Sequence, residues 1–346
     1  MQNLNALKEL LSSPKKIIIT THHKPDADAL GSSLALWGYL RKRGHDVKVI
    51  TPTDYPTFLN WMNGNDEVII FNQGNEVLSQ KLVDEAEVIF CLDFNSLSRI
   101  NELGEIIRKS QATKVLVDHH LDPEAFADFS FSDITAAATA VLIYKLILGM
   151  GDRQYFDTCI GEAIYAGILT DTGGFRHPTT NSEVHLIIAD LINLAVDVSK
   201  IHRLIYDNNS ENRLRFLGYA LLNKLVILPE FHTAYIAISA EELKKFNSQT
   251  GDTEGFVNYA LSLEGVVFAA VIIERSDAVK ISFRSKGDFS VSNFARMHFE
   301  GGGHKNASGG KSDTTLEKTI EKFINTLEVY KEDLDENHKI EKKILC

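Results

Sequence analysis

Three apolar runs in this chain each end in acid and histidine. Residues 15–20 (Lys-Lys-Ile-Ile-Ile-Thr) lead into Thr21-His22-His23-Lys24-Pro25-Asp26-Ala27-Asp28. Residues 88–92 lead into Asp93, and residues 114–117 into Asp118-His119-His120. Continuous β-branched runs of this length read as strands buried on both faces of a parallel sheet. Ligands of an open α/β sheet bind just beyond the carboxyl ends of its strands. Three strands that deliver Asp and His to that edge predict one metal site.

The rest of the first half supports such a sheet. Residues 29–43 have helical period, and Gly44 ends that helix. Residues 47–50 and 68–71 read as short strands, and residues 100–109 as a helix before the run at 115–117. Residues 135–148 and 160–169 read as apolar helices, the second running into Thr170-Asp171-Thr172-Gly173-Gly174. Alternating strands and helices predict an α/β fold with a mostly parallel sheet flanked by helices. Helical period dominates residues 186–223, with breaks near Asp197 and at 208–210. A second alternation follows: strand 234–238, helices 241–246 and 256–261, strands 266–273 and 279–284, and helix 291–299 capped by Ser290 or Ser292. Gly301-Gly302-Gly303-His304 comes next, then a last helix over 316–330. The charged tail from 331 to 346 reads as frayed. The expected organisation is a domain over 1–200, a helical connector over 201–228, and a smaller α/β domain over 229–346.

Bulk composition narrows the partners. The 346 residues suffice for two domains, each with its own core. A net charge of −11 argues against long duplex nucleic acid, which normally meets a basic face, but leaves short nucleotides open. No apolar run is long enough to span a membrane, and residues 1–14 lack a secretory core segment. Cys91, Cys159 and Cys346 show no metal or disulfide spacing, so a cytoplasmic protein with reduced thiols is expected. Oligomeric state is left open, a homodimer included.

His22, Asp26, Asp28, Asp93, His119 and Asp171 together offer four carboxylates and two imidazoles. Gathered without a cation, the acids would raise one another's pKa values. Two divalent ions balance four negative charges, and Asp93, alone at a central strand end, suits the bridge between them. Oxygen and imidazole donors without thiolate favour Mn or a similar first-row ion, with Mg as the alternative. Each residue also has an ordinary reading. Asp26 and Asp28 suit a turn after Pro25, Asp93 and Asp171 suit caps, and His119 and His120 suit a core. Gly31 would open the first helix, serving close packing or a phosphate at the helix start.

The ordered set Asp26-Ala27-Asp28-Ala29-Leu30-Gly31-Ser32, Asp93, Asp118-His119-His120, Asp171 and Gly301-Gly302-Gly303-His304 resembles the DHH phosphoesterase superfamily with its associated C-terminal domain. Within it, the bare two-domain length is most similar to the nanoRNase and pAp phosphatase (NrnA-like) group. The resemblance implies that His22, Asp26 and Asp93 hold one metal, and that Asp28, Asp93, His119 and Asp171 hold the other. The family's histidine lies four residues before the first Asp, which selects His22 over His23. Catalytic roles then fall to Asp93, to His120 at the phosphate or leaving group, and to Asp118, which orients a histidine ligand. Lys24 and Ala27 depart from the family's usual Asn and Gly without removing a ligand.

The Gly-rich segment alone reads as a flexible loop with an incidental histidine. The resemblance makes it a substrate-binding motif of Gly302, Gly303, His304, Lys305 and Asn306, with Arg284 as a second phosphate contact. Arg99 and Arg176 are weaker phosphate candidates. The implied reaction is in-line attack of a hydroxide bridging two metals, on short oligoribonucleotides and 3′-phosphoadenosine 5′-phosphate. A linear dinucleotide (pApA-type) phosphodiesterase or a non-catalytic nucleotide-binding protein are the alternatives.

Overall fold

The computed structural model describes residues 3–276 and 278–344; Cys346 lies outside them. The chain divides into two compact units, 1–208 and 209–346.

The first unit runs α1 (Leu4–Leu10), β1 (Lys16–Thr21), α2 (Ala27–Lys42), β2 (Asp46–Thr51), β3 (Ile69–Ile70), α3 (Glu76–Glu85), β4 (Val88–Leu92), α4 (Glu102–Lys109), β5 (Thr113–Asp118), β6 (Phe129–Ser132), α5 (Thr139–Gly149), α6 (Thr158–Asp171), α7 (Ser182–Asn193) and α8 (Val198–Tyr206). Its six strands lie in the order β3-β2-β1-β4-β5-β6, every pair parallel. The order reverses between β1 and β4, which places a topological switch point, and hence a crevice, at their carboxyl ends.

Period-two alternation divides the strands between two cores. Ile17, Ile19, Val88, Phe90, Leu92, Val115 and Val117 join the α2, α5 and α6 side. Ile18, Ile89, Cys91 and Leu116 face the opposite layer with Val83, Leu103 and Ile107 of α3 and α4. Fully burying each such side chain is worth about 1.5–3 kcal/mol. Cys91 is a buried thiol whose pKa burial pushes well up.

Gly31 does not open its helix. α2 starts at Ala27, capped by Asp26, so Gly31 sits a full turn in, where a Cβ would come within 2.4 Å of the Ala163 carbonyl oxygen. Its place is the α2–α6 contact, not a helix end.

The second unit runs α9 (Glu211–Asn223), β7 (Leu225–Leu228), β8 (Thr233–Ile238), α10 (Ala240–Lys245), α11 (Phe256–Leu261), β9 (Phe268–Glu274), β10 (Val279–Ser285), α12 (Val291–His298), β11 (Gly302–His304), β12 (Ala307–Ser312), α13 (Leu316–Leu327) and α14 (Lys331–Ile344). Its sheet, β11-β12-β10-β9-β8-β7, is antiparallel except for β8–β9. Phe268, Phe283, Phe294 and Phe323 centre one core, and Phe216, Phe256, Ile236 and Val271 the other.

Two expectations are corrected here. The segment after Gly301 is the β11–β12 hairpin rather than a flexible loop, held in register by Gly302 opposite Gly309 and His304 opposite Ala307. The tail is helical to Ile344 rather than frayed, because Leu334 and Asn337 are buried and Asn337 bonds the backbone at Lys286 and Asp288. Among the described residues no helix is long and apolar enough to cross a membrane.

Candidate metal centre

The carboxyl ends of β1, β4 and β5 and the last residue of α6 bring the predicted ligands together. Ligand atoms of His22, Asp26 and Asp93 lie within 4.8 Å of one another, as do those of Asp28, His119 and Asp171, and those of Asp93, Asp118 and His120.

Three imidazoles are each held through Nδ1. The Nδ1 of His22 is 2.9 Å from the His23 carbonyl oxygen, and that of His119 is 3.1 Å from the Ala136 carbonyl oxygen. A carbonyl only accepts, so each Nδ1 carries the proton and donates it. Each Nε2 is thereby turned toward the acids. His22 Nε2 faces Asp93 Oδ2 at 3.4 Å and Asp26 Oδ2 at 3.9 Å. His119 Nε2 faces Asp171 Oδ2 at 3.3 Å, Asp93 Oδ1 at 3.5 Å and Asp28 Oδ2 at 3.9 Å. His120 Nδ1 donates to Asp118 Oδ1 at 2.8 Å. Asp118 thus holds His120, whereas the expected ligand His119 is oriented by the Ala136 carbonyl. The other Asp118 oxygen, Oδ2, is buried without a hydrogen-bond partner.

Asp93 joins the two groups. One oxygen, Oδ2, addresses His22, and the other, Oδ1, addresses His119. Its backbone sits at φ 64°, in the left-handed region, while its N–H still donates to Val117 O at 3.0 Å. Strained conformations of this kind cluster at functional sites.

Electrostatics state what the cluster demands. Burial, with Asp93 and Asp171 nearby, holds Asp28 well above the usual carboxylate range. Burial opposes charge on Asp93 too, but hydrogen bonds from His119 and His22 outweigh it and bring Asp93 well below that range. Burial lowers His22 and His119, and their acidic neighbours, Asp93 foremost, raise both above the ordinary imidazole value. Imidazole nitrogens and carboxylate oxygens that converge without thiolates fit hard or borderline divalent ions. Here the four acids and the inward Nε2 atoms meet that description.

Residues outside the predicted set complete the site. Asp28 accepts the Thr139 N–H at Oδ2 (2.6 Å), and the Ala140 N–H (2.9 Å) and Ser32 hydroxyl (3.2 Å) at Oδ1. The Thr139 hydroxyl donates to Asp93 Oδ1 at 2.9 Å. Asp26 divides its work: Oδ1 caps α2 through the Asp28 and Ala29 amides, leaving Oδ2 for His22. Within Ala136-Ala137-Ala138-Thr139-Ala140 nothing in residue type or period marks Thr139, since its partners lie more than forty residues away.

Other candidates are placed elsewhere. His23 is exposed and its Nδ1 meets the Asn101 amide at 2.9 Å. Lys24 pairs with Asp54, and Arg176 Nε donates back to Gly173 O at 2.6 Å. The Arg99 carbonyl accepts the His23 N–H. In the second unit, Arg284 lies opposite Ala307 in the β10–β12 ladder, and Ala307 is paired on its other side with His304, the last residue of β11. Lys305 Nζ pairs with Asp288 at 2.6 Å, and Asn306 Nδ2 donates to Ser285 Oγ and Gly287 O.

A doubly wound sheet with acids and imidazoles gathered at its switch point defines a class of α/β protein whose strand ends could hold a metal. The chain belongs to the DHH phosphoesterase family: the model for "DHH family, N-terminal domain" matches residues 16–168, and that for "DHHA1 domain" matches residues 230–333. It is 28% identical over 294 residues to the bifunctional oligoribonuclease and PAP phosphatase NrnA of Bacillus subtilis (strain 168), covering 85% of this chain and 88% of that one. A solved structure, an exopolyphosphatase-related protein from Bacteroides fragilis, is 39% identical with a TM-score of 0.91, covering 96% of this chain and 97% of that one. RecJ of Thermus thermophilus in complex with Mn2+ shares the fold at a TM-score of 0.54 and 14% identity, over 96% of this chain and 55% of that one.

Proposed function

We propose that the chain is a two-metal phosphoesterase that hydrolyses short oligoribonucleotides and 3′-phosphoadenosine 5′-phosphate in the cytoplasm, with manganese as the preferred ion. The observation that carries this reading is Asp93, whose two oxygens address different histidines 3.4 and 3.5 Å away. His22, Asp26 and Asp93 would hold one ion, and Asp28, Asp93, His119 and Asp171 the other. Two such ions supply an acidified water and positive charge against the phosphoryl oxygens.

The chain's own residues do the rest. Carbonyls behind His22 and His119 keep both Nε2 atoms facing inward. His120, its Nδ1–H fixed on Asp118, presents Nε2 as the group that contacts the substrate phosphate or serves the departing oxygen. In the domain division proposed here, 1–200 is catalytic, 201–228 a helical connector, and 229–346 binds substrate. His304, Arg284, Gly302, Gly303, Lys305 and Asn306 would take a further phosphate or nucleotide portion. The name of the Bacillus subtilis relative supports the substrate class.

The test is a panel of pAp, pApA and ribo-oligomers of graded length, run with Mn or Mg on the parent chain and on Asp93→Ala. Release of mononucleotide from the shortest oligomers and phosphate from pAp is expected, with both lost in Asp93→Ala at unchanged circular dichroism. Turnover confined to pApA would make the chain a dinucleotide phosphodiesterase, and binding without turnover a nucleotide-binding module. Full turnover by Asp93→Ala would remove the metal assignment.

A further inference from the structure

α5 begins without a cap of its own. Ala138, at its N-cap, offers no side-chain oxygen, and Thr139 and Ala140 are fully buried. Buried amides of a first helical turn need an outside acceptor. Here it comes from α2: the two oxygens of Asp28 take the Thr139 and Ala140 N–H groups at 2.6 and 2.9 Å. The Thr139 hydroxyl reaches the other way, to Asp93 Oδ1 at 2.9 Å. One residue therefore ties a carboxylate that follows β1 to a carboxylate that follows β4, across the reversal in strand order.

We propose that Thr139 is a positioning residue that sets the mutual orientation of Asp28 and Asp93 before any cation binds. The inference rests on the reading of those two acids as metal ligands. The torsion that turns an aspartate carboxylate is broad and roughly two-fold, so an unrestrained Asp93 could rotate its oxygens away from His22 and His119. The Thr139 hydroxyl meets that carboxylate at 2.9 Å, on a β-branched side chain of restricted χ1. That hydroxyl takes one lone pair of Oδ1 and holds the carboxylate plane, leaving Oδ2 for His22. The backbone N–H of the same residue fixes Asp28. Removing the hydroxyl leaves the helix and the Asp28 contact in place and frees only Asp93, so the effect is separable from folding.

Mn(II) binding to chelator-stripped protein, followed by the electron paramagnetic resonance of the free ion, provides the test. The parent chain is compared with Thr139→Val, Thr139→Ala, Thr139→Ser and Asp93→Ala. Loss of an outer partner of a metal ligand typically weakens binding by about 10- to 100-fold. That loss is expected in the Val and Ala variants, with Ser restoring parental binding through its hydroxyl. Should Val not fold, Ala, which is smaller and keeps the N–H, decides. The inference is overturned if Val or Ala binds Mn(II) like the parent while Asp93→Ala does not, or if Ser fails as badly as Ala. Parental binding by Asp93→Ala would instead overturn the ligand reading itself.

Discussion

Glycine at one position of α6 leaves the volume that Asp28 occupies. A Cβ on Gly167 would lie 2.7 Å from Asp28 Oδ1 and 2.8 Å from Ala140 Cβ. Gly167→Ala is therefore expected to destabilise the first unit by about 1–3 kcal/mol, as overpacking does. It should also push Asp28 off the α5 amides and weaken Mn(II) binding. Gly218 on α9 is the contrast, because nothing lies within 4 Å of its Cβ position. There alanine should stabilise by about 0.5–1 kcal/mol through helix propensity alone. Chelated thermal melts of the two variants check both signs; equal shifts would mean that the Asp28 contact has no cost. Asp93, His119 and Asp118 stood out in the sequence because each ends or follows an apolar run. Thr139 and Gly167 did not, since each matters only through a residue far along the chain.

At the scale of elements, β1, β4, β5, β8 and β9 were legible because continuous apolar runs suit strands with both faces buried, and β10 because Val279, Ile281 and Phe283 alternate with exposed or half-buried polar residues. Helices with a clear apolar period, such as α2, α5, α6 and α13, were legible too, but elements with neither signal were not. β12, Ala-Ser-Gly-Gly-Lys-Ser, is a strand because β10 supplies its ladder. α3 exposes Val77 and Leu78, which blurs its amphipathic pattern, and α1, β6 and β7 are short or weakly patterned. α14 is mostly charged, and only its docking through Leu334 and Asn337 makes it an ordered helix.

α10, by contrast, carries its signal locally: Ser239 and Glu242 form a reciprocal capping box. Burial pushes Glu242 up, but the Ser239 N–H, Tyr219 and Lys224 outweigh it and hold it at about 2, below its ordinary 4.5. A depressed folded pKa contributes stability above pH 4.5, and that contribution is lost as pH falls toward 2. Glu242→Gln should therefore lower the stability of the second unit at pH 7 by about 0.5–2 kcal/mol, with the difference shrinking between pH 4.5 and 2. Urea melts across that range measure it, and a pH-independent difference would rule out the charged bonds as the cause.

At the scale of the whole molecule, the acids become a site only through sheet order. Between β1 and β4 in sequence lie β2 and β3, yet β1 and β4 are neighbours in the sheet. That reversal puts His22 and Asp26 beside Asp93, and β5 then adds His119 on the far side. A cation bound there should stabilise the first unit by linkage, by about 2.7 kcal/mol at a hundredfold excess over Kd. Hydrogen exchange with and without Mn(II) is expected to show slower exchange at the starts of α2 and α5 and the end of α6. Unchanged protection at those three places would show that no ion joins them. The sequence alone determined the strand runs, the residues at their ends and the α/β class, because apolar period and turn chemistry act over a few residues. The tertiary structure alone decided which carboxylate caps α5, which hydroxyl meets Asp93 and which glycine makes room for Asp28. Those outcomes depend on contacts between segments more than forty residues apart, where local pattern carries no information.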